Sequence, residues 1–302
     1  MCRDLCFGLK VELVTLLFLE LVVYIMNQFQ TIFYACLFIS IFSVNNSLAA
    51  IVDSELVLLV DVSGSVNSVE YTLQKDGYAN AFRSGEVIDV IESVGSIAVT
   101  YVEWSGASQQ AQLVGWTMIN NSESSNSFAD LIDQTVRAYS GMTAPGSAIS
   151  YGVSLIGLET GGADNGYEST RQVIDISGDG KRNSGENTSA ARNTALASGV
   201  DQINGLPIGN STIANYYDNN VIGGEGSFFM AAYQFADIQD SLVSKLGGDI
   251  TGVVPENANV LPPASNPPAD IPAVPLPAAG WLFGLALVGM ATMGRDRNIA
   301  GR

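Results

Sequence analysis

Between Ile51 and Val254 two hydrophobic rhythms alternate along the chain. Short, apolar, β-branched runs predict strands over Glu55–Asp61, Ser96–Trp104 and Gln172–Ser177. A weaker run covers Asp201–Ile208, and a last one Phe228–Ala232. Between these runs, apolar residues return at the three- and four-residue spacing of a helix face. Ser68–Arg83 is one such segment, with Val69, Leu73, Tyr78, Ala81 and Phe82 as inward positions. Ser127–Tyr139 is another, with Phe128, Leu131, Ile132, Thr135 and Val136. Gly146–Leu158, Thr188–Ser198, Ile213–Tyr217 and Ala236–Leu246 read as further helices. Gln110–Trp116 pairs with Ser96–Trp104 as a hairpin around Ser105-Gly106. Strands alternating with helices predict an α/β fold with a doubly wound, mainly parallel sheet, helices on both faces and one antiparallel edge strand.

The two ends follow a different pattern. Residues 11–50 are largely apolar. Counted from Met26, an apolar core over Ile32–Phe42 leads to Ser47-Leu48-Ala49, small residues at the positions a signal peptidase reads. This resembles a secretory signal cleaved after Ala49, so residues 1–49 are expected to be a signal peptide or an N-terminal membrane segment. Residues 50–254 form the expected domain, and residues 255–273 a Pro- and Ala-rich extended linker. Ala278–Met293 is an apolar run followed by Arg295, Arg297 and Arg302. By the positive-inside rule the arginines would face the cytoplasm and the domain would lie outside it. Val274-Pro275-Leu276-Pro277-Ala278, the apolar run and the basic tail resemble a VPLPA-type, PEP-CTERM-like sorting signal. That resemblance implies export, a C-terminal helix in the membrane, and processing by an exosortase-like protease. The protein would then be held in the inner membrane of a bacterial envelope, or reach the cell surface or the medium.

Composition narrows the chemistry. The sequence contains no histidine, which excludes a Ser-His-Asp triad and a histidine-ligated zinc. Cys2, Cys6 and Cys36 all precede the domain, leaving it no thiol for a disulfide, a metal or a nucleophile. Ala50–Ala273 carries 8 Lys/Arg against 26 Asp/Glu. Such a surface repels phosphate backbones, so nucleic acid is excluded as a partner.

Chemistry is concentrated at strand ends. Asp61, Ser63 and Ser65 form a D-x-S-x-S cluster where the first long strand ends and a helix begins. Thr143 lies in Gly141-Met-Thr-Ala-Pro-Gly146, just before a helix, and Asp179 in Ile176-Ser-Gly-Asp-Gly180, just after a strand. Ligands of open α/β sheets bind beyond the carboxyl ends of the strands, where such loops meet. Carboxylates and hydroxyls are hard oxygen ligands that suit Mg²⁺ or Mn²⁺. Glu103 and Trp104 end a strand near the same rim and are candidate partner contacts; Asp175 is a strand residue of open role. Asp179, Asn183 and Glu186 share a loop, but their spacing departs from the EF-hand pattern.

D-x-S-x-S, then a Thr after Gly-rich residues, then an Asp before Gly resembles the von Willebrand factor A (vWA) domain and its metal-ion-dependent adhesion site (MIDAS). Tyr101-Val-Glu-Trp104 and Val173–Gly180 look most like a bacterial branch of unknown function. The resemblance implies a six-stranded sheet, with Ser63, Ser65 and Thr143 as direct ligands and Asp61 and Asp179 acting mostly through water. It also implies a non-enzymatic binding module that grips an acidic residue of a protein partner. Two alternatives stand beside it: a Mg²⁺-dependent phosphatase-like hydrolase with Asp61 as nucleophile, and a structural envelope protein whose metal only stabilises the fold.

Overall fold

The computed structural model describes residues 20–30 and 49–262, in two units, Met1–Ala50 and Ile51–Arg302. In the first unit residues 20–30 form helix α1. The expected signal core Ile32–Phe42, the Val274–Ala278 motif and the apolar run and arginines after it lie outside the described residues. No helix among the described residues is long and apolar enough to cross a membrane.

The second unit is built around β2 (Ser54–Asp61), buried at every position. A strand with no polar face needs partners on both edges and cover on both sides. It pairs in parallel with β3 (Ile97–Trp104) and with β6 (Gln172–Gly178). β6 pairs in parallel with β7 (Gln202–Pro207), and β3 antiparallel with β4 (Gln110–Ile119). The order is β4-β3-β2-β6-β7. Two short strands, β1 (Ala50–Val52) and β5 (Tyr167–Ser169), make a separate ribbon.

Alternation along β2 splits the core in two. Leu56, Leu58 and Val60 join the cluster under α2 (Ser68–Arg83), α3 (Gly85–Val94), α4 (Ser122–Asp133) and α8 (Ile238–Thr251). Val57 and Leu59 join the cluster under α5 (Pro145–Leu155), α6 (Thr188–Ala197) and α7 (Ser211–Asn220). The doubly wound, mainly parallel sheet with one antiparallel edge is therefore the fold.

The sheet itself departs from expectation in one respect. Its regular part has five strands, and the sixth position is taken by residues 228–232 through isolated bridges to Gly205 and Ile208. Gly205 N–H donates to Phe228 O (3.0 Å) and Gly205 O accepts from Met230 N–H (3.0 Å). A Cβ on Gly205 would stand 2.8 Å from the Tyr217 ring.

Three helices differ from the periodicity. α3 has no counterpart in the expected elements; Ser84 caps it by accepting from Val87 N–H, and Val87 and Ile91 are its buried positions. α2 buries Gln74, Gly77, Tyr78, Ala81 and Phe82, whereas Val69 and Leu73 are exposed. Gly77 sets that face, because a Cβ there would stand 3.0 Å from Ile238 of α8. α4 starts and stops earlier than Ser127–Tyr139. Asn121 and Ser124 form a reciprocal capping box at its start, and Val136, past its end, is exposed.

Candidate metal centre

The chain leaves β2 toward β3 on one side, while β6 leads to β7 on the other, so the strand order reverses between β2 and β6. A crevice opens beyond the carboxyl ends of strands at such a point. Val60 is registered with Ser177, which sets Asp61 beside Gly178. A Cβ on Gly178 would stand 2.7 Å from Asp61 Oδ2 and 2.6 Å from the Tyr217 hydroxyl, so this approach requires glycine.

Asp61 is held from two sides. Its Oδ1 accepts from Ser63 N–H (2.7 Å), and its carbonyl accepts from the Gln74 amide of α2 (2.8 Å). Its Oδ2 is buried with no hydrogen-bond partner. Ser63 Oγ lies 3.0 Å from Ser65 Oγ, and the Ser65 hydroxyl donates to Asp179 Oδ1 (2.7 Å). Four of the five expected residues are thus connected in a chain. Thr143 adjoins it through the backbone. Gly64 N–H donates to Gly141 O (2.8 Å), and Thr143 N–H donates to Asn183 Oδ1 (2.7 Å). Thr143 O accepts from Asn183 N–H (3.0 Å) and Ser184 N–H (3.2 Å), and Thr143 Oγ1 stands 3.5 Å from the Cβ position of Gly180. Asp61 and Ser63 are fully buried and form a floor; Ser65 is exposed, at the mouth.

The electrostatics of this set fit a cation. Burial pushes the Asp61 carboxyl up to about 7, helped by the negative charge of Asp179 and opposed by the Ser63 hydrogen bonds and Arg137. Asp179 is raised too, by burial and then by Glu70, against the hydrogen bond from Ser65. Two like charges and an unpartnered buried oxygen are each unfavourable alone. A hard divalent ion would offset both, and oxygen donors are the ligands such an ion takes. Among the described residues there is no group of three His, Cys, Asp or Glu placed to hold a metal. Any ion here rests on two carboxylates and hydroxyls.

The loop after β2 is fastened by a residue that no sequence pattern marks. The Arg137 guanidinium donates to the carbonyls of Val62 (2.9 Å), Ser63 (2.9 Å), Val66 (2.8 Å) and Tyr139 (2.8 Å). It also stands over the Tyr71 ring at 5.5 Å. The Tyr71 hydroxyl donates to Glu103 Oε1 (2.9 Å), and Glu103 Oε2 accepts from Ala138 N–H (2.7 Å). Glu103 is therefore an internal brace of this loop. Glu103 and Trp104 are both fully buried, Trp104 within the cluster under α5, so neither offers a side chain to a partner at the rim. The β pleat decides this: the end of β3 is covered on both faces. Asp175 points away from the site, and Lys245 Nζ lies 2.7 Å from it on the opposite side of the sheet. Of the other loop oxygens, Asn183 Oδ1 binds Thr143 N–H and Glu186 Oε2 binds the Ser150 hydroxyl (2.7 Å).

Comparison with known proteins adds three findings. No curated protein matches the chain. Solved structures similar to it include proximal thread matrix protein 1 from the mussel byssus with a zinc-occupied MIDAS motif, at 18% identity and TM-score 0.47, over 66% of this chain and 48% of that one. The pilus adhesin SpaC from Lactobacillus rhamnosus GG in its open conformation is similar at 13% identity and TM-score 0.49, over 69% and 31%. A von Willebrand factor type A structure from Catenulispora acidiphila is similar at 13% and 0.44, over 66% and 43%. The chain thus spans half or less of the length of these three structures. A family described as protein of unknown function (DUF1194) matches residues 51–254, which cover the whole sheet and every residue of the candidate centre, and the chain belongs to that family.

Proposed function

We propose that this protein is an exported, vWA-like binding module in which Asp61, Ser63, Ser65, Thr143 and Asp179 hold one Mg²⁺ or Mn²⁺ that grips an acidic residue of a protein partner. The carrying observation is the unpartnered, fully buried Asp61 Oδ2 at the end of the Ser63–Ser65–Asp179 chain of contacts. A hard ion with few charged ligands keeps part of its positive charge, which a partner carboxylate completes. The module is not catalytic in this reading. Phosphatases of the alternative class carry a second Asp two residues after the nucleophile, and here that position is Ser63. Export and membrane or surface attachment rest on the signal-like N-terminus and the VPLPA-type tail with its exosortase-like protease. The domain limits, residues 50–254 between a leader and a linker, belong to the same reading.

Calorimetric titration of the full chain with Mg²⁺ tests it. One binding event in the wild type, absent in a folded Asp61→Ala variant, is expected. A flat titration, or one that Asp61→Ala leaves unchanged, removes the metal centre and the adhesion reading with it.

A further inference from the structure

The described residues contain eight cationic side chains, and six are engaged inside the fold. Lys75 donates to Asp133 O, Arg83 pairs with Asp130 and Asp133, and Lys245 is buried between Asp175 and Asp249. Arg137, Arg171 and Arg192 donate to backbone carbonyls. Two remain. Lys181 makes no hydrogen bond or ion pair among the described residues, and Arg182 makes only a long bond (3.3 Å) to Gly185 O in its own loop. Both are exposed.

Their position is the informative part. Asp179 is bound at one end of their loop by Ser65, and Asn183 and Ser184 at the other end are bound to Thr143. Lys181 and Arg182 are therefore the crest of a short loop whose two ends are both tied to metal-site residues. Consecutive residues advance by at most ~3.6 Å, so both Cα atoms stay within about 11 Å of Asp179, inside or near one Debye length. The domain around them is acidic: 26 Asp/Glu lie between Ala50 and Ala273, five of them (Glu55, Asp61, Glu103, Asp175 and Asp249) fully buried. Among the described residues, the two cationic side chains least engaged by the fold thus stand together beside Asp179, a local basic spot in an acidic domain. The carboxylates of Glu70 and of Glu186, which accepts from the Ser150 hydroxyl, temper it.

We infer that Lys181 and Arg182 form a second contact point of this centre, and that its partner presents a segment with two neighbouring carboxylates, one for the ion and one for this basic pair. This rests on the proposed function and narrows its partner to a di-acidic motif. A single acid engages the ion alone and gains less from the pair than a diacid does.

The test uses the full chain saturated with Mg²⁺ and two short blocked peptides, one containing Glu-Glu and one Glu-Gln. Exposed charge pairs strengthen contacts by about two- to fivefold each, so the diacid is expected to bind roughly tenfold tighter at low salt. In a K181Q/R182Q variant that advantage disappears, while Mg²⁺ affinity does not fall, because two repelling charges have been removed. Raising salt shrinks the wild-type advantage. Equal binding of the two peptides to the wild type, or a diacid preference that survives in K181Q/R182Q, overturns the inference and leaves the metal centre standing. Absence of Mg²⁺ binding overturns both.

Discussion

Replacing Lys245 with Met tests how the last helix is held to the sheet. Lys245 Nζ lies 2.7 Å from Asp175 Oδ1 on β6 and 3.0 Å from Asp249 Oδ2 on α8, with all three side chains shielded from water. Asp249 Oδ1 also accepts from the Asn204 amide of β7 (2.8 Å). One ammonium thus lies between two buried carboxylates. Burial pushes the Asp175 carboxyl up to about 7, although Lys245 pulls it down. Asp249 is raised by the same burial, against Lys245, Asn204 and Arg171. Met keeps most of the Lys stem, so the loss is the charge. Removing one partner of a buried pair costs about 3–5 kcal/mol. Here two carboxylates lose the ammonium between them, so ~5 kcal/mol is expected near neutral pH. That is a large share of the ~5–15 kcal/mol that holds an ordinary domain together.

The sign with pH follows from the same shift. The folded wild type keeps a proton on Asp175 that the unfolded chain releases near 3.8. The stability linked to this group is therefore fully present below that value and is lost as pH rises through about 7. In Lys245→Met both carboxylates rise further, so the deficit grows toward alkaline pH and shrinks toward acid. Urea unfolding of both proteins, followed by tryptophan fluorescence at about pH 5 and about pH 8, measures it. A deficit below ~1 kcal/mol at the higher pH, or an equal deficit at both, refutes the reasoning.

Two more substitutions probe the centre. Gly178→Ala drives a methyl toward Asp61 Oδ2 and the Tyr217 hydroxyl, at 2.7 and 2.6 Å. It should cost ~1–3 kcal/mol and weaken Mg²⁺ binding at least tenfold, read by melting and calorimetry. Gly115→Ala on the exposed edge strand, where a Cβ meets nothing within 4 Å, is the control that should change neither. Arg137→Met removes the bonds to four carbonyls around the D-x-S-x-S loop. A loss of ~2–3 kcal/mol with weaker Mg²⁺ binding is expected; unchanged Mg²⁺ affinity in a folded variant would show that the loop needs no such brace.

The sequence by itself determined what local rules can carry. β2 was legible because eight consecutive buried residues leave no polar face to misread. The D-x-S-x-S, Thr143 and Asp179 positions could be singled out as candidates because they are small oxygen-bearing residues at strand ends, and the fold brings Asp61, Ser63, Ser65 and Asp179 into one run of contacts. Helix faces were less legible. Leu131 and Val136 continue an apolar period but are exposed, because the Asn121 cap sets where α4 begins and Glu103 and Arg137 hold the chain after it has ended. Only tertiary structure decided the rest. Arg137 reaches the Ser63 carbonyl from 74 residues away. Asp175 and Lys245 meet across 70 residues on the far face of the sheet, and Glu103 and Trp104 are buried by helices that their own sequence does not mention. Hydrophobic periodicity is a near-neighbour signal, whereas the partner of a buried charge is chosen by the packing of whole elements, which no local window contains.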